Sequence, residues 1–190
     1  DDFRDFINVV DDLTYRTLFN LLFFTGLRKG EALALTWKDI NFTSNQLAVN
    51  KSVSLVRNIG YQVSTPKTNK SIRIVITNDQ LNDLLKKLYI HKSKEYDFKD
   101  THSVFGSYSS CLPAETVRRK FKKYIRMSGV PDIRMHDLRH SHVALLIELD
   151  EDIYVIRDRL GHEEISTTLN VYGHLYKGKQ TLLAQKLNLL

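Results

Sequence analysis

Five of the seven histidines crowd into the last third of the chain: His136, His140 and His142 in H-D-L-R-H-S-H, His162 in L-G-H, and His174. His136 and His140 are four residues apart, so a helix would set both on one face, the spacing of a zinc protease. That chemistry wants a glutamate straight after the first histidine as general base, and here the residue is Asp137. Arg139 would also place a fixed positive charge beside the metal. No metal site is therefore read from these residues. Arginine among histidines suits a phosphate instead. A guanidinium holds two non-bridging oxygens through parallel hydrogen bonds, and imidazoles donate or shuttle protons. One arginine cannot cage a pentacoordinate phosphorane. Arg28, directly after Thr25-Gly26-Leu27, is the candidate for the second. A buried arginine there is costly unless an anion or carboxylate compensates it, and Glu31, one helical turn on, is placed to orient it.

The elements that must position these groups read as mostly helical with a small sheet. Residues 2–10 form a short helix, and residues 13–24 have the apolar density of a core helix that stops at Gly26. Residues 29–35 make another short helix, with Trp37 a core anchor. Residues 46–56, 61–64 and 71–76 alternate and are rich in Val and Ile, which predicts three short antiparallel strands joined by turns at 58–60 and 66–69. Helices follow at 81–90, capped by Asn78 or Asp79, and at 113–127, 136–149, 153–160 and 165–171. In the 113–127 helix Val117, Phe121, Tyr124 and Ile125 share a stripe and leave Arg118, Arg119, Lys122 and Arg126 outside it. Leu183, Leu187 and Leu190 recur at helical spacing in the tail.

The bulk numbers fit this picture without deciding it. The 190 residues suit one domain, or one domain plus a small appendage, 42% hydrophobic and 26% charged, with net charge +6. Such a balance suits a polyanionic partner. Cys111 is the only cysteine, which excludes an intrachain disulfide and a cysteine-based zinc site, and fits a reducing cytoplasm. No signal peptide and no apolar run long enough to span a bilayer is present. The chain opens on Asp1-Asp2 rather than Met, so upstream domains are expected before it.

Five segments, in order, resemble the tyrosine recombinases of the phage-integrase family. They are T-G-L-R-K-G-E-A-L-A-L-T-W-K-D-I (25–40), T-P-K-T-N-K-S-I-R-I-V (65–75), H-D-L-R-H-S-H (136–142), L-G-H (160–162) and T-T-L-N-V-Y-G-H (167–174). Each is weak alone; five in order are specific. The resemblance implies the family's catalytic-domain fold over residues 1–177, mainly α with a three-stranded antiparallel sheet, and a tail helix over 178–190. It implies that Arg28 and Arg139 clamp the scissile phosphate and that Lys67, in a turn between strands, protonates the leaving 5′ oxygen, with Lys70 as the alternative. His136 would assist proton transfer or orient the phosphate, and His162 would hydrogen-bond a non-bridging oxygen. Tyr172 would be the nucleophile, giving a 3′-phosphotyrosyl bond and a free 5′ hydroxyl without metal, nucleotide or other cofactor. A phenol ionises near ~10, and neighbouring arginines would lower that value. Tyr154 and Tyr176 are the competitors, Tyr154 being read as packing. His140 is read as a support for the second arginine, and His142 and His174 as structural.

On this reading the basic run R-R-K-F-K-K (118–123) contacts DNA phosphates through Arg118, Arg119 and Lys122, joined by Lys70. The expected partners are double-stranded DNA at a specific site, a homotetramer joined through the tail, and a directionality factor, in a bacterial cytoplasm and away from membranes. Two other readings stay open: a DNA-binding protein that keeps the fold without the reaction, and topoisomerase-like cleavage with the same residues.

Overall fold

The computed structural model describes residues 2–65, 71–107 and 110–173, with Ala184, Leu187 and Asn188 beyond them. Its helices are α1 (Asp2–Asn8), α2 (Leu13–Thr25), α3 (Lys29–Ala34), α4 (Asp79–Lys92), α5 (Ala114–Ser128), α6 (Asp137–Glu148), α7 (Ile153–Leu160) and α8 (Ile165–Tyr172). The strands are β1 (Ile40–Asn41), β2 (Gln46–Val49), β3 (Ser52–Val56), β4 (Gly60–Ser64), β5 (Arg73–Ile76), β6 (Gly106–Ser107) and β7 (Ser110–Cys111).

Helix α2 is the central post, and its ends are fixed locally. The Asp12 carboxylate accepts the backbone N–H groups of Thr14 (2.9 Å) and Tyr15 (3.3 Å), satisfying two donors that the helix start leaves orphaned. Gly26 stops the helix in the left-handed conformation (φ 65°), which costs glycine nothing. Between these caps Leu18, Phe19, Leu21 and Leu22 are fully buried. The Phe19 ring packs on Phe6 of α1 and on Phe121 and Tyr124 of α5. The apolar stripe expected on α5 is thus the surface that docks on α1 and α2, with Val117, Phe121, Tyr124 and Ile125 all buried.

The expected three-stranded antiparallel sheet is present, but its strands are β1, β2 and β5 rather than the three runs read from the sequence. The run over 46–56 is two strands, divided at Asn50-Lys51, and it does not form one sheet with its two successors. β2 pairs with β1 and with β5 (Leu47 opposite Val75), whereas β3 and β4 make a separate hairpin. At the division the Lys51 ammonium turns inward to Asp39 (2.5 Å) and Thr36 (3.1 Å), a buried anchor that ends one strand before the next begins. Alternation reports which residues can be strands; it carries no information on which strand pairs with which.

A second, smaller core lies between α6, α7 and α8. Val143, Ile147, Ile156, Leu160 and the ring of Tyr172 are buried together. Helix α7 is capped by Asp152 at its start and by Gly161 (φ 66°) at its end. Tyr154, read from sequence as packing, is instead 56% exposed, with the Arg157 guanidinium over its ring. Pro66, Lys67, Thr68, Asn69 and Lys70 lie outside the described residues. So do His174, Tyr176 and most of the tail; Leu187 is 58% exposed.

Candidate active site

Three chain reversals bring the chemistry together. The first is the Gly26 stop of α2. A side chain there would meet the His142 ring at 2.6 Å and Leu160 at 2.9 Å, so the backbone itself approaches α6 and α7. The Gly26 carbonyl accepts a hydrogen bond from Nη1 of Arg139, which is 4% exposed. The second reversal is Gly161, where a Cβ would come within 2.8 Å of the Arg73 guanidinium. The carbonyl of Leu160, just before it, accepts from Nη2 of Arg139 at 3.0 Å, and His162, just after it, meets the same Nη2 at 2.9 Å. The third is the start of α3, where Arg28 is the N-cap.

Arg139 is therefore held by backbone rather than by a carboxylate. A guanidinium has five N–H donors. Gly26, Leu160 and His162 occupy three of them, leaving two for another acceptor. Because an arginine cannot accept, His162 must offer Nε2 as a lone pair. Its Nδ1 then carries the proton and donates to the Thr168 hydroxyl at 2.8 Å. Burial first, then the charges of Arg139 and Arg28, holds the His162 pKa down at about 4, which agrees with a neutral ring. Arg139 is itself pushed down to about 10, by burial and then by Arg28, so it remains cationic at neutral pH.

Arg28 is not the buried arginine that its position suggests. Its side chain is 45% exposed, and Nη1 donates to Glu31 at 3.1 Å. Glu31, which the sequence places to orient Arg28, does so twice, since it also accepts the Arg28 backbone N–H at 2.9 Å. Sequence reasoning missed that Glu31 serves a second arginine. Arg73 of β5 donates to both of its carboxylate oxygens (3.2 and 3.0 Å) and to the carbonyls of Arg159 (2.8 Å) and Ser71 (3.2 Å). Burial alone would push the Glu31 carboxyl up; the hydrogen bonds and charges of Arg73 and Arg28 outweigh it and keep the group ionised. Two guanidinium groups thus share one buried carboxylate, and Arg28 lies close enough for its charge to destabilise that of Arg139. An anion between Arg28 and Arg139 would relieve that repulsion.

Tyr172, at the end of α8, is 5% exposed, and its Oη lies 2.6 Å from Nδ1 of His140. The expectation that arginines lower its pKa is corrected here. Burial raises it, and the charge of Arg139 offsets only part of that rise. His140 is thus partnered with the tyrosine, where the sequence reading made it a support for Arg139. Its place one turn after His136 was the available signal, because the two rings meet edge to face at 4.9 Å. His136, at the N-cap of α6, has its pKa lowered by burial, then by His140 and Arg139. His142 is structural, as its sequence reading has it: buried, with Nε2 accepting from Arg159 Nε at 3.1 Å and its pKa down at about 3.

The basic residues of α5 are of another kind. Arg118 pairs with Glu115 at 2.6 Å, Lys122 with Asp132, and Arg119 is exposed. With Arg126, Gly129 and Val130 they line an open depression of about 500 Å³. Among the described residues, no three His, Cys, Asp or Glu side chains gather as a metal site would require. No described helix is long and apolar enough to cross a membrane.

Fold and site together define a class, and the chain belongs to the phage integrase family, whose family model matches residues 1–179. Among its relatives, the ICEBs1 integrase of Bacillus subtilis (strain 168) is 39% identical over 99% of this chain and 53% of its own length. The XerC-like tyrosine recombinase of Caldanaerobacter subterraneus subsp. tengcongensis is 30% identical over 91% of this chain and 49% of its own. The chain therefore spans about half the length of these relatives. Among solved structures, the Tn1549 transposon integrase in complex with circular intermediate DNA superposes with a TM-score of 0.81 at 21% identity, over 97% of this chain and 64% of that one. XerA recombinase gives 0.73 at 20% identity, over 97% and 62%. The fold is that of these recombinases.

Proposed function

We propose that this chain is the catalytic domain of a site-specific DNA recombinase of a mobile element, which cuts and rejoins duplex DNA through Tyr172. The observation that carries the reading is that Arg28, His162 and Tyr172 gather about Arg139, where guanidinium groups outnumber the buried carboxylate of Glu31. Membership of the integrase family and the integrase and recombinase relatives support it.

In the proposed reaction the Tyr172 oxygen forms a bond to phosphorus as the bond to the 5′ oxygen breaks, giving a 3′-phosphotyrosyl intermediate. Arg28 and the two spare donors of Arg139 hold the non-bridging oxygens and stabilise the added charge. Lys67 delivers a proton to the leaving 5′ oxygen, and His136 orients the phosphate. For His162 to hydrogen-bond a phosphate oxygen, its contact with Arg139 must give way. An anion between them favours that, because it raises the histidine's affinity for a second proton. Bond energy is kept in the phosphotyrosine, so a 5′ hydroxyl from another strand can reverse the step. Arg118, Arg119, Lys122 and Lys70 contact backbone phosphates. A homotetramer joined through residues 178–190, a directionality factor, upstream DNA-binding domains and a bacterial cytoplasm complete the proposal.

The test is a nicked suicide duplex carrying the recombination site, incubated with the intact protein in EDTA. A denaturant-resistant protein–DNA adduct is expected. An adduct that needs added metal, or none on site DNA that the protein binds, overturns the reading.

A further inference from the structure

The mechanism above leaves the phenolic proton of Tyr172 without a destination. Phosphate attack needs that proton removed, and burial makes the phenol harder, not easier, to ionise. Arg139 has no lone pair to accept it, and the accepting nitrogen of His162 is occupied by Arg139. Among the described residues one base touches the hydroxyl: His140, with Nδ1 2.6 Å from Tyr172 Oη.

We infer that His140 is a catalytic residue, the general base that takes the Tyr172 proton during strand cleavage and returns it on rejoining. The inference rests on the proposed reading of Tyr172 as nucleophile. The Tyr172 O–H breaks, its proton passes to Nδ1 of neutral His140, the phosphorus–Oη bond forms, and the phosphorus–O5′ bond breaks with its electron pair leaving on the 5′ oxygen. His140 becomes an imidazolium and is neutral again after religation. Several features make it suited to this work. It lies on the first turn of α6, the helix that also carries Arg139, so base and phosphate clamp share one rigid element. Tyr172 is fixed on the other side by its ring, which is buried among Val143, Ile147, Ile156 and Leu160. The base is therefore set by packing rather than by a loop. The groups around His140 are His136, Asp137 and Arg139 of its own helix and Tyr172 of α8, with Arg28 of α3 near enough to act on His136.

Two measurements on the intact protein test this. The first is single-turnover adduct formation on the suicide duplex between pH 5 and 9, for the unaltered protein, His140→Asn and Tyr172→Phe. Asparagine can still accept a hydrogen bond but cannot take a proton. Its rate is expected to fall by ~10² or more, with the parent's dependence on pH flattened. A His140→Asn rate within about threefold of the parent, with the same pH profile, overturns the inference. The second needs no variant and no DNA. With tyrosine labelled at Cζ, the Tyr172 carbon resonance is expected to shift as His140 titrates, and a resonance that does not respond overturns the pairing. Absence of any adduct with the unaltered protein counts against Tyr172 as nucleophile rather than against His140, whose pairing the resonance still decides.

Discussion

Arg139 and Arg119 are the same residue type on successive helices, in opposite surroundings. Arg139 is buried, with three of its donors committed to Gly26, Leu160 and His162, and it feels Arg28 strongly enough for its pKa to fall to about 10. Arg119 stands in solvent on α5 beside pairs such as Arg118–Glu115, both of whose members are exposed. Pre-organised charge in a low dielectric stabilises a transition state; screened charge on a surface holds a polyanion by counterion release. On the proposed function, the basic run, the most conspicuous feature of the sequence, is therefore not the centre of the chemistry.

The largest effect that should separate the two regions comes from Arg139→Lys. An ammonium cannot satisfy two carbonyls and an imidazole and still present a fork to phosphate, so cleavage at saturating DNA should fall by ~10³-fold, close to 4 kcal/mol. Next is Glu31→Gln, which leaves Arg73 buried beside a neutral amide. Urea unfolding should show a loss of about 3 kcal/mol, and a loss below 0.5 kcal/mol on the order of a surface substitution would erase the distinction drawn here. The third is pH. His142 and His162 have folded pKa values of about 3 and about 4, below the ordinary 6.5. Depressed values mean the unfolded chain binds protons first. The stability they confer is complete above 6.5 and is lost as pH falls toward the folded values, by at most about 1.4 kcal/mol per pH unit for each ring. Thermal melts from pH 7 to 4 measure the slope, and replacing His162 should flatten part of it. The smallest effect belongs to α5: Arg119→Ala should weaken binding about equally on all DNA sequences and reduce the salt slope by about one, as read by titration at several ionic strengths.

Much of the site was legible because its parts are local. Gly26 and Gly161 end helices beside Arg28 and His162, and the Arg28–Glu31 pair is one turn long, so spacing alone is informative there. Arg73 was not legible. It lies 42 residues from Glu31 and 86 from Arg159, and in sequence it is one polar position in a strand pattern. The partner of His140 is 32 residues away, on a helix whose approach to α6 no periodicity reports. The sheet divides the same way. Strands β2 to β5 were visible in the alternation of Val and Ile, whereas the two-residue strands β1, β6 and β7 were not, and the pairing of β2 with β5 depends on the course of the chain between them.

On the proposed function one phenol, that of Tyr172, becomes joined to DNA. The most direct test is to trap the adduct on a suicide duplex in EDTA, digest it, and read by mass spectrometry which tyrosine carries the nucleotide. A 3′-phosphate ester on Tyr172, absent from Tyr172→Phe, is expected. Nucleotide on Tyr176, or an adduct that survives Tyr172→Phe, would contradict it.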